Sequence, residues 1–556
     1  MRWQSLFFAL VVTMACEPLR YPLGEPDGGG RDASIRDAGA GDARASDAGQ
    51  TDAGTRDAGE QQRDAGELRD GGEASDAGAR DAGPAVMHTL SLTIAGGGAG
   101  RVVSLPPGID CPGTCDAEFP EGVEIQLQAN PTRTSRVGGW SLPCNRAEVC
   151  ATTLGSDASV DVFFQVKPRV FVGDSHSCAL NELGRLRCWG ENGSGQLGYD
   201  NTTDVGDGVG PSVQDVGEVD TGFGEVVVDA ALGRFHTCAV YNDGRLRCWG
   251  AGFRGALGYN DTENVGDDPS RRITLAGDVP VGGLVAQVQT HNDVTCSLLT
   301  TGSVRCWGTS VTGEHGHGST PAIGNGTGPS IITAGDLALS GPAMVITHRC
   351  ALLATGAIEC WDGGIDGTDQ TIFRSINVGE PAVDLVSGDT HDCALLSGGR
   401  VRCWGRNASG QLGYNNTTNV NDGIGPSIPV AGDVPVGESV SRIATGHSHT
   451  CAILATGGLR CWGDGGDGRL GYGNTDNVGD GVGLDVAMAG VVALGAAATH
   501  VALSTLPGRH TCAVTAADEV YCWGNGGSGR LGYGNTTNVG DGAGLSVASA
   551  GPALSF

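Results

Sequence analysis

The chain contains a single lysine, Lys167, in 556 residues. Its arginines are scattered, and 63 acidic side chains against 34 basic ones leave a formal charge of −29. A nucleic-acid surface needs clustered Lys and Arg on the phosphates, so that partner class is excluded. Acidity by itself signifies only a soluble, self-repelling surface. Aromatic residues are scarce at 5%, and beyond the first residues no apolar run is long enough to span a bilayer. Glycine, by contrast, is abundant at 96 residues. That suits an all-β chain of many short strands joined by tight turns.

The apolar stretch SLFFALVVTMA follows Arg2. It is too short for a membrane span and reads as an export signal over residues 1–15. Cys16 follows Ala15 directly. This arrangement resembles the signal of a bacterial lipoprotein. The resemblance implies lipidation of Cys16, a place in the bacterial cell envelope facing outward, and membrane contact through the lipid anchor only. The alternative is an ordinary secretory signal and a secreted chain. On either reading the mature protein lies outside the reducing cytosol.

Residues 16–87 hold the candidate anchor cysteine and a low-complexity linker in which Asp-Ala-Gly occurs seven times. Almost nothing there is large and apolar, so no core offsets the ordering entropy. The expectation is a disordered tether with an end-to-end distance of roughly 45 Å.

Residues 88–166 alternate apolar and polar side chains in TLSLTI, VEIQLQA and SVDVFFQ, as strands do. Cys111, Cys115, Cys144 and Cys150 lie in this small exported unit, where disulfides are favoured over zinc. The order GIDCPGTC, FPEGVEIQLQANP, GGW, VDVFF resembles the divergent internalin-type B repeat of bacterial surface proteins. That family implies a small β domain used as a stalk or adhesive module.

From residue 167 to 556 one cassette recurs, typified by HTCAVYNDGRLRCWG at 236–250. It pairs Cys178 with Cys188, Cys238 with Cys248, Cys296 with Cys306, and Cys350 with Cys360. Three further copies pair Cys393 with Cys403, Cys451 with Cys461, and Cys512 with Cys522. A tryptophan follows the second cysteine in each of the seven copies. Asn242-Asp243-Gly244 suits a three-residue hairpin turn. Folding about Asp243 sets Val240 opposite Leu246 and Cys238 opposite Cys248, within reach of a disulfide. The bond is then a staple.

A histidine two residues before the first cysteine recurs at His176, His236, His348, His391, His449 and His510. With the two sulfurs it would offer zinc three ligands. The third repeat has Val294 there, and export favours oxidation, so no metal is assigned. A redox-active pair would be a close C-x-x-C, which this is not. The tryptophans read as packing between neighbouring units.

Repeats of 40 to 60 residues, each of a few strands, indicate a propeller or solenoid. The cassette continues as WGENGSGQLGYD at 189, WGRNASGQLGYN at 404 and WGNGGSGRLGYG at 523. The run H-x-C-A-L, G-R-L, W-G-x-N, G-Q-L-G resembles the regulator-of-chromosome-condensation type repeat. That resemblance implies a seven-bladed β-propeller over residues 167–556, preceded by the small β module and the tether. Repeats three and four are degenerate, with WGTSVTGEHGHG and CWDGGIDGTDQ, so shortened blades are expected there. PRVFV and ALSF are expected to close the ring against each other.

Five repeats carry an Asn/Asp/Thr-rich loop in which Asp207, Asp267, Asp422, Asp480 and Asp541 recur in register. Such oxygens are calcium-type ligands, although Asn, Asp and Gly are also ordinary turn formers. Calcium is the one cofactor these loops suggest; otherwise none is implied.

The functional expectation is a non-catalytic binding scaffold at the cell surface, with a protein or glycan as partner. The alternatives are a polysaccharide-active lyase or hydrolase on a propeller, and a structural component of the envelope. The acidic residues repeat with the cassettes, and no repeat carries a distinctive Asp/Glu/His set, which argues against an enzyme.

Overall fold

A computed structural model of the protein describes residues 85–142, 144, 149–309, 313–318, 322–363, 371–505, 507 and 509–556. The export signal, Cys16 and the linker to residue 84 lie outside the described residues. Those described belong to one compact unit, Asp81–Phe556.

The first part is a pair of four-stranded sheets. One runs in the order Asp116–Pro120, Met87–Ala95, Ala158–Val166, Ser135–Trp140, with the two central strands parallel. The other runs Asp110–Cys111, Gly100–Leu105, Glu124–Pro131, Val149–Thr153. Strict alternation in Glu124–Pro131 buries Ile125, Leu127 and Ala129. These pack with Leu90, Val160, Val162 and Phe164 in a core of their own. Cys111 is bonded to Cys115, and Cys144 to Cys150.

Seven sheets follow, one per cassette. Their inner strands are Arg169–Val172, Val227–Leu232, Val285–His291, Ala343–Ile346, Ala382–Ser387, Val440–Thr445 and Ala498–Leu503. Each inner strand lies against the next, and Ala498–Leu503 lies against Arg169–Val172, so the ring is closed. This is a seven-bladed β-propeller. In the second blade the hairpin sets Cys238 opposite Cys248 and Val240 opposite Leu246.

All seven cassette pairs are bonded across such a hairpin, with Cα atoms 3.9 to 4.1 Å apart. In the first four blades the bonds join Cys178 to Cys188, Cys238 to Cys248, Cys296 to Cys306, and Cys350 to Cys360. In the last three they join Cys393 to Cys403, Cys451 to Cys461, and Cys512 to Cys522. Every cysteine of the propeller thus bonds to the mate its own cassette supplies.

Two expectations are corrected. The third blade keeps three full strands. The fourth is not shortened either: it gains an outer strand, Thr371–Ile376. The fourth blade lacks the Leu-Gly-Tyr element, and so does the third, where His315-Gly316-His317 stands in its place. In the first blade the tyrosine of that element covers the outer edge; the Tyr199 hydroxyl accepts from Cys188 N–H at 3.0 Å and donates to its carbonyl at 3.1 Å. Tyr259 and Tyr414 do the same for Cys248 and Cys403. Without it the fourth blade covers its outer edge with backbone, whereas the third stays three-stranded. Nor do PRVFV and ALSF pair with each other. Arg169–Val172 is the inner strand of the first blade, whereas Leu554–Ser555 pairs with Glu519 and Val520 on the outer side of the last.

The blades are joined by a repeated relay. His236 of the second blade is hydrogen-bonded to the Thr295 hydroxyl of the third at 3.0 Å. Thr295 donates to the Ala256 carbonyl of the second blade at 2.9 Å, and Trp307 of the third donates to the same oxygen at 3.0 Å. His176–Thr237, His391–Thr450 and His449–Thr511 repeat the pattern, and His510–Ser177 at 2.9 Å carries it across the ring closure. In five of its six occurrences the recurring histidine is thus a side-chain tie between blades, and its sulfur neighbours are bonded to each other; His348 instead stacks on His291, with ring centroids 4.1 Å apart. The glycine of Gln-Leu-Gly follows from the same contact. A Cβ on Gly198, at φ +79°, would stand 2.8 Å from Trp249 Nε1.

Trp249 is fully buried and donates to the Gln196 carbonyl at 3.0 Å. Trp249→Ala is expected to cost about 3–5 kcal/mol by emptying this wedge. Gln196 O still accepts from Thr237 at 2.9 Å, so most of that loss is packing. Urea unfolding midpoints of the two proteins check it, and a change under 1 kcal/mol would contradict the wedge role.

Candidate functional site

The inner strands carry an axial ring that breaks the sevenfold repetition. Arg169, Asp229, Gln287, Val345, Asp384, Arg442 and His500 occupy one register position. Each is paired with the residue two beyond the first cysteine of its blade. All seven line an axial cavity of about 550 Å³. The next layer, opposite the cysteines, holds Phe171, Ala231, Gln289, Val386, Ala444 and Ala502.

Small residues in that second layer leave room at the axis, and the polar layer uses its groups to stitch inner strands together. Arg169 pairs with Asp229 at 2.9 Å, whose other oxygen accepts from Val288 N–H at 3.3 Å. The Gln287 amide bridges to Ile346, donating to its carbonyl at 3.1 Å and accepting its N–H at 3.0 Å. His500 Nδ1 accepts from Val170 N–H at 3.5 Å, so its proton sits on Nε2.

The β module stands at one mouth of the cavity. Only two residues separate Ala158–Val166 from Arg169–Val172, so the module has no slack linker. Its loop at 132–135 lines the cavity. Arg133 pairs with Asp384 at 2.7 Å, and Arg136 pairs with Glu182 and Asp518 at 2.8 and 3.3 Å on the hairpin tips of the first and last blades. Lys167 donates to the Arg133 carbonyl at 3.2 Å. Burial, and then the charges of Arg442, Arg169 and Arg133, push the Lys167 ammonium below its usual range. Burial, then the charges of Arg133 and Arg169 against the opposing pull of Asp384, hold the Arg442 guanidinium down at about 10, and burial with Arg442, Arg169 and Arg133 holds His500 well below an ordinary histidine. Burial raises the Asp229 carboxyl despite Arg169 beside it.

At the opposite end the Asn/Asp/Thr-rich loops leave the outer strands, through bridges such as Gly190–Val205. Their recurring aspartates are spread around the ring; Asp207, Asp267, Asp480 and Asp541 each lie against a glycine of the preceding blade, Gly529, Gly195, Gly410 and Gly468. Asp422 Oδ1 accepts from Ile424 and Gly425 N–H at 3.0 and 2.7 Å. Asp207 makes the same turn with Val209 and Gly210, Asp480 with Val482 and Gly483, and Asp541 with Ala543 and Gly544. Asp267 instead accepts from Asn264 at 3.0 Å. The Gly425 N–H, the Asn419 amide and the Ile424 N–H hold the Asp422 carboxyl below its usual range. These carboxylates shape loops, and among the described residues no group of three His, Cys, Asp or Glu side chains could hold a metal.

Sequence reasoning missed the axial ring. Its signal was present: the position nine residues before the first cysteine is Arg169, Asp229, Gln287, Asp384 and Arg442 in the first, second, third, fifth and sixth repeats.

The regulator of chromosome condensation (RCC1) repeat models match residues 169–196, 227–256, 382–411, 440–469 and 508–530, and also 398–453. Those stretches of the chain are RCC1-type repeats. The Ultraviolet-B receptor UVR8 of Arabidopsis thaliana is 26% identical over 66% of this chain and 79% of its own length. The E3 ubiquitin-protein ligase HERC2 of Homo sapiens is 27% identical over 53% of this chain, which spans 6% of that relative. Among solved structures, human WBSCR16 matches with a TM-score of 0.45 and 20% identity, covering 65% of this chain and 89% of that one. Prp20p of Saccharomyces cerevisiae matches at 0.37 and 19%, over 69% and 76%. The matched RCC1 segments include the cassettes of the first, second, fifth and sixth blades in full.

Proposed function

We propose that the protein is a non-catalytic binding scaffold, exported and anchored through Cys16 to the bacterial envelope, whose RCC1-type propeller engages a partner protein. The observation that carries this reading is the loop rim. Each Asp-Gly-x-Gly turn projects its third residue outward, and Val209, Ile424 and Val482 are 93%, 95% and 91% exposed. Aliphatic tips on rigid, hydrogen-bonded turns suit a protein surface. A glycan-binding face would offer aromatic platforms instead. The rim lies at the end opposite the module, so a chain tethered through the module would present it outward. Nine disulfides fit an oxidising compartment. The module, on this reading, is a stalk of the internalin-type B kind. A polysaccharide-active enzyme would need two carboxylates free to act on a glycosidic bond, whereas Asp229 and Asp384 are each held by an arginine.

The test is crosslinking on intact cells, comparing the native protein with the V209S/I424S/V482S variant. A specific protein adduct that the variant loses at least tenfold, with its unfolding midpoint unchanged, is the expected result. An adduct of equal yield from both would reject the rim. Separately, Cys16→Ala should move the protein from the membrane fraction to the soluble exported fraction; unchanged membrane retention would reject the anchor.

A further inference from the structure

Arg442 is the axial residue without a stated purpose. It lines the cavity, and among the described residues it makes no hydrogen bond and no ion pair within 4 Å. The neighbouring cations are differently placed: Arg169 is paired with Asp229, and Arg133 with Asp384. Lys167 adds a further positive charge close by. Arg442 is half-buried, and Asp384, the carboxylate whose charge acts on it, is already paired with Arg133, so the guanidinium has lost part of its hydration without a hydrogen-bonded partner to replace it. The chain carries 34 basic residues among 63 acidic ones, and it places three arginines, Arg133, Arg169 and Arg442, on the lining of one cavity together with the two carboxylates that pair with the first two. His500 keeps an Nε2–H donor at the same level of the ring.

We propose that the axial cavity beneath the module is a receptor for a small oxyanion, a phosphate, sulfate or carboxylate group, gripped by the Arg442 guanidinium. The planar fork of arginine matches such groups with two parallel N–H donors. The second layer, with Phe171, Val386, Ala444 and Ala502, would accommodate a short apolar body attached to the anionic head. Because Arg133 comes from the module, the site requires both parts of the folded unit. It lies at the other end of the propeller from the loop rim, so it stands or falls independently of partner capture there.

Isothermal titration of the whole exported chain with sodium phosphate, sulfate and acetate, at constant ionic strength set with chloride, tests this. Saturable one-site binding of at least one of the three is expected; phosphate or sulfate alone marks a tetrahedral ligand, acetate alone a carboxylate. Arg442→Met should weaken it at least tenfold, while Arg400→Met, which removes an arginine paired with Glu380 on the outside, should not. If Arg442→Met does not fold, Arg442→Lys decides, since it keeps the charge and loses the fork: several-fold weaker binding supports the site. No saturable binding of any of the three anions, or equal affinity in the Arg442 variant that folds, overturns it.

Discussion

Lowering the pH from 7 to 5 is expected to destabilise the propeller by about 6 kcal/mol through three histidines alone. His176, His236 and His391 are fully buried. Burial holds their side chains at about 3, about 4 and about 3 respectively, against about 6.5 in an unfolded chain. In each tie the threonine gives its one hydroxyl proton to a backbone carbonyl, as Thr237 does to Gln196 O at 2.9 Å. The histidine therefore donates through Nε2–H and needs no charge to hold its partner. Protonation would place a charge on Nδ1, and for His176 and His391 that atom has no partner. The sign follows: folded pKa values lie below unfolded ones, so the unfolded chain binds more protons, and stability falls as pH drops through 6.5 towards the folded values. At pH 5 each such histidine costs about 2 kcal/mol. His449, His348 and His500 are displaced the same way and add to the effect. Asp229, raised by burial, opposes it. Urea midpoints between pH 7.5 and 4 should fall steeply. His236→Val, which copies the third repeat's Val294, should flatten the slope by about one proton. A midpoint constant from pH 7 to 5 would show that the ties are not buried neutral histidines.

The cassette was readable because everything in it is local. Ten-residue cysteine spacing, a turn at Asn242-Asp243-Gly244 and alternation along two strands suffice to place Cys238 opposite Cys248. The tryptophan was readable as inter-blade packing from its fixed place in each repeat, although its acceptor, a carbonyl of the preceding blade, was not. What failed to show is what only ring closure creates. His236 sits two residues from Cys238 and so looks like a companion of the sulfurs, yet its partner, Thr295, lies a whole repeat away. The aspartates looked like a ligand set because they recur, but recurrence in a propeller spreads residues around a circle. Asp422 and Asp480 recur because both cap the same tight turn. The axial ring was obscured for the converse reason. Its members differ in type from repeat to repeat, and Arg169 and His500, at opposite ends of the repeat array, become neighbours only in the closed wheel. In a repetitive chain the shared positions build the scaffold, and the unshared ones at a common register are where a specific site can arise.

Reduction of the seven blade disulfides is expected to abolish the propeller. Closing an eleven-residue hairpin loop contributes roughly 3 kcal/mol in the chain-entropy treatment, and less where the hairpin persists unfolded. Cys238→Ala with Cys248→Ala should therefore cost about 2–3 kcal/mol, a loss one blade can absorb. Seven such losses approach about 20 kcal/mol, more than the roughly 5–15 kcal/mol by which domains are ordinarily stable. Access separates the kinetics from the thermodynamics, since the blade cysteines are no more than 6% exposed. Dithiothreitol in native buffer should leave the unfolding midpoint unchanged for hours. The same reductant in denaturant, followed by dilution with thiols still reduced, should leave a chain without the native far-ultraviolet signal, and reoxidation should restore it. A reduced chain that refolds to the original midpoint would reduce the sulfurs to passengers in hairpins held by other means. The opposite outcome ties folding to compartment: each staple closes within its own hairpin, so blades can be locked one at a time once the chain reaches an oxidising space, before the ring of histidine and tryptophan contacts is complete.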